Sequence, residues 1–265
     1  MNFGAKLRLK LKGRLFEKEL ALLPSGYQII GKILLIKLRP GLYRKRKLIG
    51  KACLELLPYL DSAYLQKGIS DAVRTPKVEW LAGKRCSETL HREHGCSFLL
   101  DVRKIMWSQG NKAEKIRLAA AAKPGETVVD MFAGIGYWSI PLAKHAKVKK
   151  IYAIDINPAA IKYLKMNVAG NGLRNVEVLK GDCRRFARRL EGAADRVIMG
   201  YLWGTEKFLP AALRMAKKGA VIHCHCLLKD ASAKKAPKGT KLLAVRRVKG
   251  YAPGISHYVL DLRKA

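Results

Sequence analysis

Apolar and polar positions alternate in blocks along the second half of the chain, where short apolar runs are separated by longer stretches with a helical period. Short apolar runs bounded by turns are typical of buried strands, and the stretches between them are typical of helices that connect parallel strands. The runs occupy residues 128–131, 151–156, 176–179, 194–199, 220–227, 245–249 and 256–262. They predict an α/β domain over residues 105–265, with a seven-stranded, mostly parallel sheet whose last strand is antiparallel.

The part of the chain before this domain has a less regular pattern. Residues 1–26 are predicted to form a basic N-terminal arm, in which Leu7, Leu9 and Leu11 alternate with basic residues. This alternation indicates either a strand followed by a short helix or a partly disordered segment. Residues 27–104 are predicted to form a small α/β domain. Its expected strands cover residues 28–38, 63–66 and 98–102. A basic turn is expected at 43–47, and a helix at 49–57.

Three acidic residues follow consecutive predicted strands, beside a turn that contains glycines. Gly134 and Gly136 come shortly after Asp130, and such a turn between a strand and a helix presents backbone N–H groups to a ligand. Asp155 lies about twenty residues further on, where nucleoside-binding folds place the carboxylate that holds a ribose. Asp182 follows the next strand, where a carboxylate can accept a hydrogen bond from an adenine amine. Each Asp alone is equally typical of a turn or a helix cap, but three in register favour a nucleoside site.

Four motifs together resemble one family of enzymes that modify tRNA. The motifs are Asp130-Met131-Phe132-Ala133-Gly134-Ile135-Gly136, Ala153-Ile154-Asp155-Ile156-Asn157-Pro158, Gly181-Asp182-Cys183 and Gly250-Tyr251-Ala252-Pro253-Gly254. They resemble the archaeal wybutosine-synthesis aminocarboxypropyltransferases and their paralogues, the tRNA guanine-37 N1-methyltransferases. The resemblance implies a Rossmann-like, class I methyltransferase domain that uses S-adenosyl-L-methionine as co-substrate. The residues it assigns to cofactor binding here are Asp130, Phe132, Gly134, Gly136, Asp155, Ile156, Asp182 and Cys183.

The segment after the fourth strand departs from the methyltransferase pattern. Base methyltransferases usually have Asn-Pro-Pro or Asn-Leu-Pro there, and the Asn holds the base beside the transferred methyl group. This chain instead has Gly200-Tyr201-Leu202, which resembles the aminocarboxypropyltransferases. Ser108 and Lys115 match positions that are associated in those enzymes with the methionine end of the cofactor, and the resemblance adds them to the cofactor-binding residues.

The resemblance therefore implies a particular reaction. The 3-amino-3-carboxypropyl group of the cofactor would move to C7 of 4-demethylwyosine at position 37 of tRNA(Phe), with release of 5′-methylthioadenosine. Glu114, Gly200 and Tyr201 are the candidates for the catalytic site, and Glu114 also fits a capping box with Asn111. Two alternatives stay open: a tRNA guanine-37 or wyosine-intermediate methyltransferase, which would release S-adenosylhomocysteine, and a non-catalytic tRNA-binding protein.

The charge of the chain also indicates a polyanionic partner. Lys and Arg number 53 against 20 Asp and Glu, which gives a formal net charge of +33, and the excess is densest at the two ends. Neutralisation of phosphates by such a surface makes RNA binding strongly dependent on salt. The residues predicted to contact RNA are Arg44, Lys45, Arg46, Lys47, Lys234 and Lys235.

Other classes of protein are disfavoured by composition and spacing. No apolar run approaches the roughly 20 residues of a membrane span, and the N-terminus lacks the features of a signal peptide. The six cysteines include no Cys-x-x-Cys spacing, which favours reduced thiols in a cytoplasmic protein. Residues 91–96 fit no zinc pattern, and residues 223–226 alternate His and Cys as a core strand does, so no metal is expected. A monomer is favoured.

Overall fold

A computed structural model of the chain describes residues 1–70, 74–108, 111–229 and 236–265. Contacts between residues divide it into two compact units. The first unit comprises Met1–Glu93 and Ser97–Trp107, and the second comprises His94–Cys96 and Ser108–Ala265. Residues 1–26, predicted as an arm, thus belong to the same unit as the small domain. No helix in the described ranges is long and apolar enough to cross a membrane.

The first unit contains a four-stranded sheet with the order β1-β2-β3-β4, in which β2 and β3 are parallel, and a separate β5-β6 hairpin. A 3-10 helix, Pro40–Lys45, precedes α3. The elements are α1 (Phe3–Leu11), α2 (Glu17–Ala21), β1 (Gln28–Ile30), β2 (Ile33–Ile36), α3 (Arg46–Leu56), β3 (Ser62–Ser70), β4 (Thr75–Gly83), β5 (Glu88–Glu93) and β6 (Cys96–Asp101).

Three predictions for the first unit are wrong. Residues 43–47, predicted as a basic turn, are helical, because the 3-10 helix runs to Lys45 and α3 begins at Arg46. The alternating leucines lie on helix α1, because Leu7 and Leu11, four residues apart, are both fully buried while Leu9 is 64% exposed. The Asn2 side chain accepts a hydrogen bond from the Ala5 N–H and caps this helix. The long strand predicted at 28–38 is a hairpin, because Gly31 turns the chain with a φ of +55°.

The second unit contains a seven-stranded sheet with the order β12-β13-β11-β10-β7-β8-β9, in which β13 is antiparallel to its neighbours β11 and β12. This arrangement confirms the predicted class I methyltransferase fold. The elements are α4 (Lys112–Ala121), β7 (Thr127–Asp130), α5 (Ser139–His145), β8 (Lys150–Asp155), α6 (Pro158–Gly170), β9 (Val176–Lys180), β10 (Ala194–Met199), α7 (Leu209–Met215), β11 (Ala216–Leu228), β12 (Thr240–Ala252) and β13 (Ile255–Lys264).

Apolar residues of the helices and of the sheet form two buried clusters in the second unit. Cys224 joins one cluster, while His223 and His225 are buried on the opposite face of β11, as the alternation predicts. After β9, a 3-10 helix covers Cys183–Phe186. After β10, the 3-10 helix Thr205–Phe208 leads directly into α7.

Candidate functional site

The parallel strands β7, β8, β9 and β10 end at one edge of the sheet, which is where open α/β sheets bind ligands. Asp130, the last residue of β7, is fully buried. Its Oδ2 accepts a hydrogen bond from the Ser139 hydroxyl at 2.6 Å, and its Oδ1 accepts one from the Phe132 N–H at 3.4 Å. Burial raises the pKa of Asp130 to about 7 against the effect of these bonds. The carboxyl group therefore connects α5 to the turn after β7.

The glycine turn brings two of the predicted residues together. Gly134 and Gly136 have φ values of +58° and +100°, in the region that favours glycine, and a Cβ on Gly134 would lie 2.5 Å from the Tyr137 ring. The Gly134 N–H donates to Asp155 Oδ2 at 2.7 Å, while the Asn157 N–H donates to Asp155 Oδ1 at 2.8 Å. Burial raises the pKa of Asp155. The second carboxylate of the site is thus held against the turn.

The segments that follow β8 and β9 combine an exposed aliphatic side chain with a carboxylate that is paired with an arginine. Ile156, directly after Asp155, is 58% exposed, so an aliphatic surface is available beside a carboxylate. Asp182 accepts a hydrogen bond from the Arg184 N–H at 2.9 Å and pairs with the Arg184 guanidinium, which lowers the pKa of Asp182. Burial raises the pKa of the Cys183 thiol to about 12, so Cys183 is suited to packing and not to nucleophilic attack.

Three aromatic rings lie together at this edge. The rings of Phe132 and Tyr201 are stacked, with centroids 5.3 Å apart and planes at 25°. Phe208 meets both rings edge to face, at 4.9 and 6.0 Å. The Arg184 guanidinium lies 5.0 Å from the Phe208 centroid and so connects Asp182 to the aromatic group. Sequence analysis did not identify Phe208, because it belongs to no motif.

Gly200 directly follows β10 and lies against the indole of Trp138. A Cβ at Gly200 would be 2.6 Å from Trp138 Nε1, closer than real Cβ contacts come. Trp138 is only 4% exposed, and its ring centroid is 4.8 Å from that of His225. His225 in turn shares a hydrogen bond of 2.9 Å with His257. The space that a side chain at position 200 would need is therefore already filled, and sequence analysis did not find the residue that fills it.

The two residues predicted to bind the methionine end of the cofactor lie on helix α4 and just before it. Lys115 is buried, and its Nζ lies 5.6 Å from the centroid of the Tyr137 ring, which packs against Gly134. Ser108, which precedes the helix, accepts a hydrogen bond from the Lys249 Nζ at 2.8 Å. The structure thus brings Lys115 close to the glycine turn and joins Ser108 to β12.

Glu114, a candidate catalytic residue, is bound to Arg117. The two carboxylate oxygens of Glu114 accept hydrogen bonds from the Arg117 guanidinium at 2.5 and 2.8 Å, and Arg117 also donates to Asp261 at 2.8 and 3.1 Å. The capping box predicted with Asn111 is wrong, because the Glu114 side chain is directed to Arg117 instead of to the helix start. This arrangement favours a structural role for Glu114.

The ion pairs of Arg117 continue into the sheet. Asp261 Oδ1 lies 2.6 Å from His223 Nδ1, and His223 Nε2 lies 2.5 Å from Arg196 Nη1. Burial would raise the pKa of Asp261, but His223 and Arg117 hold it well below its usual range. Arg196 also pairs with Glu126 at 2.8 Å. The network therefore connects α4 to strands β10, β11 and β13.

The basic residues predicted to contact RNA in the first unit differ in their surroundings. Arg46 donates to Glu79 at 2.7 Å, and the Lys47 Nζ lies 4.2 Å from the Trp80 ring centroid. Arg44 is exposed. Of this group, Arg44 is therefore placed best to reach a phosphate.

The remaining predictions concern more lysines and the absence of a metal. Lys45 ends the 3-10 helix and is half-buried. Lys234 and Lys235 lie outside the described residues. Within the parts of the chain that the structure describes, no group of three or more His, Cys, Asp or Glu residues could hold a metal ion.

Comparisons with known proteins find relatives over most of the chain. A family model described as the TRM5/TYW2 methyltransferase domain matches residues 89–249, and one described as the TYW2 N-terminal domain matches residues 7–86. The chain is 41% identical to the tRNA(Phe) (4-demethylwyosine(37)-C(7)) aminocarboxypropyltransferase of Methanocaldococcus jannaschii, over 89% of this chain and 97% of that protein. It is 34% identical to the tRNA (guanine(37)-N(1))-methyltransferase Trm5b of Pyrococcus abyssi, over 91% and 75% of the two chains.

A solved structure shows the same similarity over both units. The crystal structure of Pyrococcus horikoshii TYW2 in complex with MeSAdo matches this chain with a TM-score of 0.85 and 35% sequence identity. The match covers 98% of each chain. At this identity and coverage, the similarity reaches beyond the common methyltransferase fold.

Proposed function

The chain belongs to the TRM5/TYW2 methyltransferase family, and from that premise we propose that it transfers a 3-amino-3-carboxypropyl group from S-adenosyl-L-methionine to tRNA. The acceptor is C7 of 4-demethylwyosine at position 37 of tRNA(Phe). The reaction forms a bond between C7 and the γ-carbon of the methionine portion and breaks the bond between that carbon and sulfur. C7 loses its proton to solvent, and sulfur leaves with its methyl and adenosyl groups as 5′-methylthioadenosine.

The packing of Gly200 on Trp138 carries this proposal. A base methyltransferase uses a polar side chain after the fourth parallel strand to hold the base beside the methyl group. Here a Cβ at that position would be 2.6 Å from Trp138 Nε1, so there is no room for an Asn. The chain also spans 97% of the aminocarboxypropyltransferase but 75% of the methyltransferase.

The residues at the carboxyl edge fit the adenosyl part of the co-substrate. Asp155 is fixed by the N–H groups of Gly134 and Asn157, and each carboxylate oxygen can accept a further hydrogen bond from a ribose hydroxyl. The exposed side chain of Ile156 provides an apolar surface for the adenine ring. Asp182, held by Arg184, is the acceptor for the adenine amine.

The amino-acid part of the co-substrate and the base require different partners. The buried ammonium group of Lys115, beside Tyr137 and the glycine turn, provides positive charge for the carboxylate of the transferred group. The stacked rings of Phe132 and Tyr201 provide a face for the nucleobase. Bound S-adenosyl-L-methionine supplies the reactive carbon as a sulfonium substituent. The protein contributes orientation, which can lower the barrier by about 7–11 kcal/mol when both reactants are held in line.

The charge supports tRNA as the partner. A formal net charge of +33 favours a polyanion, and the relatives with the same family domain are named as tRNA-modifying enzymes. Such a substrate, together with six free cysteines, is consistent with a place of action in the cytoplasm.

One pair of incubations tests the transferred group. The full chain is mixed with tRNA(Phe) that carries 4-demethylwyosine and with S-adenosyl-L-methionine labelled either in the methyl group or in the carboxyl carbon. The proposal predicts that only the carboxyl label enters the RNA, and that the Asp155→Ala variant transfers neither label. Methyl label in the RNA would identify a methyltransferase instead. Retained RNA without any label would identify an RNA-binding protein.

A further inference from the structure

Two large aromatic residues form an exposed pair outside the site described above. Trp203 is 51% exposed and Tyr251 is 40% exposed. Their ring centroids are 5.5 Å apart, and the ring planes meet at 81°. The two rings therefore form a corner whose faces remain open to solvent.

The topology places this corner at the carboxyl edge of the sheet. Trp203 lies two residues after Tyr201, in the segment that follows β10. Tyr251 lies near the turn between β12 and β13, and that turn is beside the carboxyl end of β11, because Ser256 pairs with Leu228. The register shifts between Gly250 and Ala252, so Tyr251 occupies a bulge. Bulges redirect a side chain, which accounts for the contact with Trp203.

The strand that carries Tyr251 is strongly basic. Residues 240–252 contain no Asp or Glu. Arg246 and Arg247 are both exposed, although Arg246 pairs with Asp261 at 3.5 Å and Arg247 donates to the Ser256 hydroxyl at 3.0 Å. Each guanidinium has five N–H donors, so both can still contact an anion in solvent. The basic residues of the strand are Lys241, Arg246, Arg247 and Lys249. Open aromatic faces beside positive charge are the features by which proteins bind unpaired nucleotides.

We propose that Trp203 and Tyr251 form a stacking platform for one unpaired nucleobase that is adjacent in the RNA to the modified base. This inference rests on the proposed function, since it takes the RNA strand to continue from the Phe132–Tyr201 rings. A base stacks on the face of one ring while its edge contacts the other, and the arginines of β12 contact the backbone phosphates. Stacking of this kind tolerates any base, so the platform positions the strand without reading its sequence.

The test compares four forms of the full chain: wild type, Trp203→Ala, Trp203→Phe and Leu243→Ala. Leu243 is a matched control, because it is 42% exposed, lies on the strand that carries Tyr251 and has no ring. Binding of a substrate anticodon stem-loop is measured by fluorescence anisotropy at fixed salt. The same RNA is also made with an abasic nucleotide on either side of the substrate base. Calorimetry measures the affinity for S-adenosyl-L-methionine.

We expect Trp203→Ala to weaken RNA binding by about tenfold or more, from the usual contribution of base stacking on an aromatic side chain. Trp203→Phe and Leu243→Ala should bind nearly as well as wild type, and cofactor affinity should stay unchanged in all four forms. Wild type should bind one of the two abasic RNAs as weakly as Trp203→Ala binds the intact RNA. Trp203→Ala should bind that abasic RNA with the same affinity as it binds the intact RNA.

Two results would overturn the platform while leaving the proposed function in place. In one, Trp203→Ala transfers the group and binds RNA as well as Leu243→Ala does. In the other, the losses from Trp203→Ala and from each abasic RNA multiply, which means that the ring and the missing bases do not interact. If wild type neither binds the RNA nor transfers the group, both the platform and the proposed function are wrong.

Discussion

Replacing Gly200 by alanine tests whether Trp138 closes the space at the end of β10. The added Cβ would lie 2.6 Å from Trp138 Nε1, so the indole must retreat by roughly 0.8 Å to reach ordinary contact at 3.4 Å. Trp138 is buried against His225 and has little room to move. Overpacking of this kind costs about 1–3 kcal/mol. In a domain of this size, that loss lowers the melting temperature by roughly 2–12 °C.

The matched control is Gly170→Ala. No atom lies within 4 Å of a Cβ at Gly170, and its φ is not positive, so this variant should be as stable as wild type. Thermal unfolding measures stability, and calorimetry measures S-adenosyl-L-methionine affinity, which should fall only in Gly200→Ala because Trp138 directly precedes α5 at the glycine turn. Adding Trp138→Phe to Gly200→Ala should reduce the loss of stability caused by Gly200→Ala by about 1 kcal/mol, because phenylalanine lacks the Nε1 atom that the added Cβ would meet. Equal melting temperatures for the two alanine variants would refute the reasoning.

Three further predictions follow from the buried polar groups. Arg117→Ala should destabilise the chain by about 3 kcal/mol, because it leaves the carboxylates of Glu114 and Asp261 without their shared partner. Arg189→Ala, which breaks the exposed ion pair with Glu177, should lower the free energy of unfolding by less than about 1 kcal/mol. Unfolding in urea measures both changes. Asp155→Ala should abolish S-adenosyl-L-methionine binding in calorimetry, whereas Asp61→Ala, in the first unit, should not; equal affinities would contradict the assigned role. Burial lowers the pKa of His257 to about 4 from 6.5 in the unfolded chain, so the contribution of His257 to the free energy of unfolding is fully present above pH 6.5 and falls by about 3 kcal/mol as the pH decreases toward 4. A stability that does not change over this range would contradict it.

The seven strands and the mostly parallel sheet of the second unit could be predicted, because most of these strands contain an apolar run that ends at an acid or a turn. Asp130, Asp155 and Asp182 therefore lie at the edge where the pattern places them. The local pattern could not distinguish a strand from a helix where the same residues fit both the strand period and the helix period. Leu7, Leu9 and Leu11 alternate like a strand, yet Leu7 and Leu11 also suit one face of a helix, and packing of the first unit selected the helix.

The parts of the site that escaped prediction depend on contacts between distant segments. Arg117 and Asp261 are 144 positions apart, and no local pattern signals that Glu114 is used to fix this pair. The contact of Trp138 with Gly200 similarly depends on the sheet order, which places β10 beside β7. An aromatic residue in a single 3-10 turn, such as Phe208, has no periodicity that distinguishes a site residue from a core residue.

The most direct test of the central claim is the small-molecule product of one turnover reaction. The full chain is incubated with S-adenosyl-L-methionine and tRNA(Phe) that carries 4-demethylwyosine, and the adenosine-containing products are separated and identified by mass spectrometry. We expect 5′-methylthioadenosine in amounts equal to the modified tRNA. S-adenosylhomocysteine in that amount would contradict it.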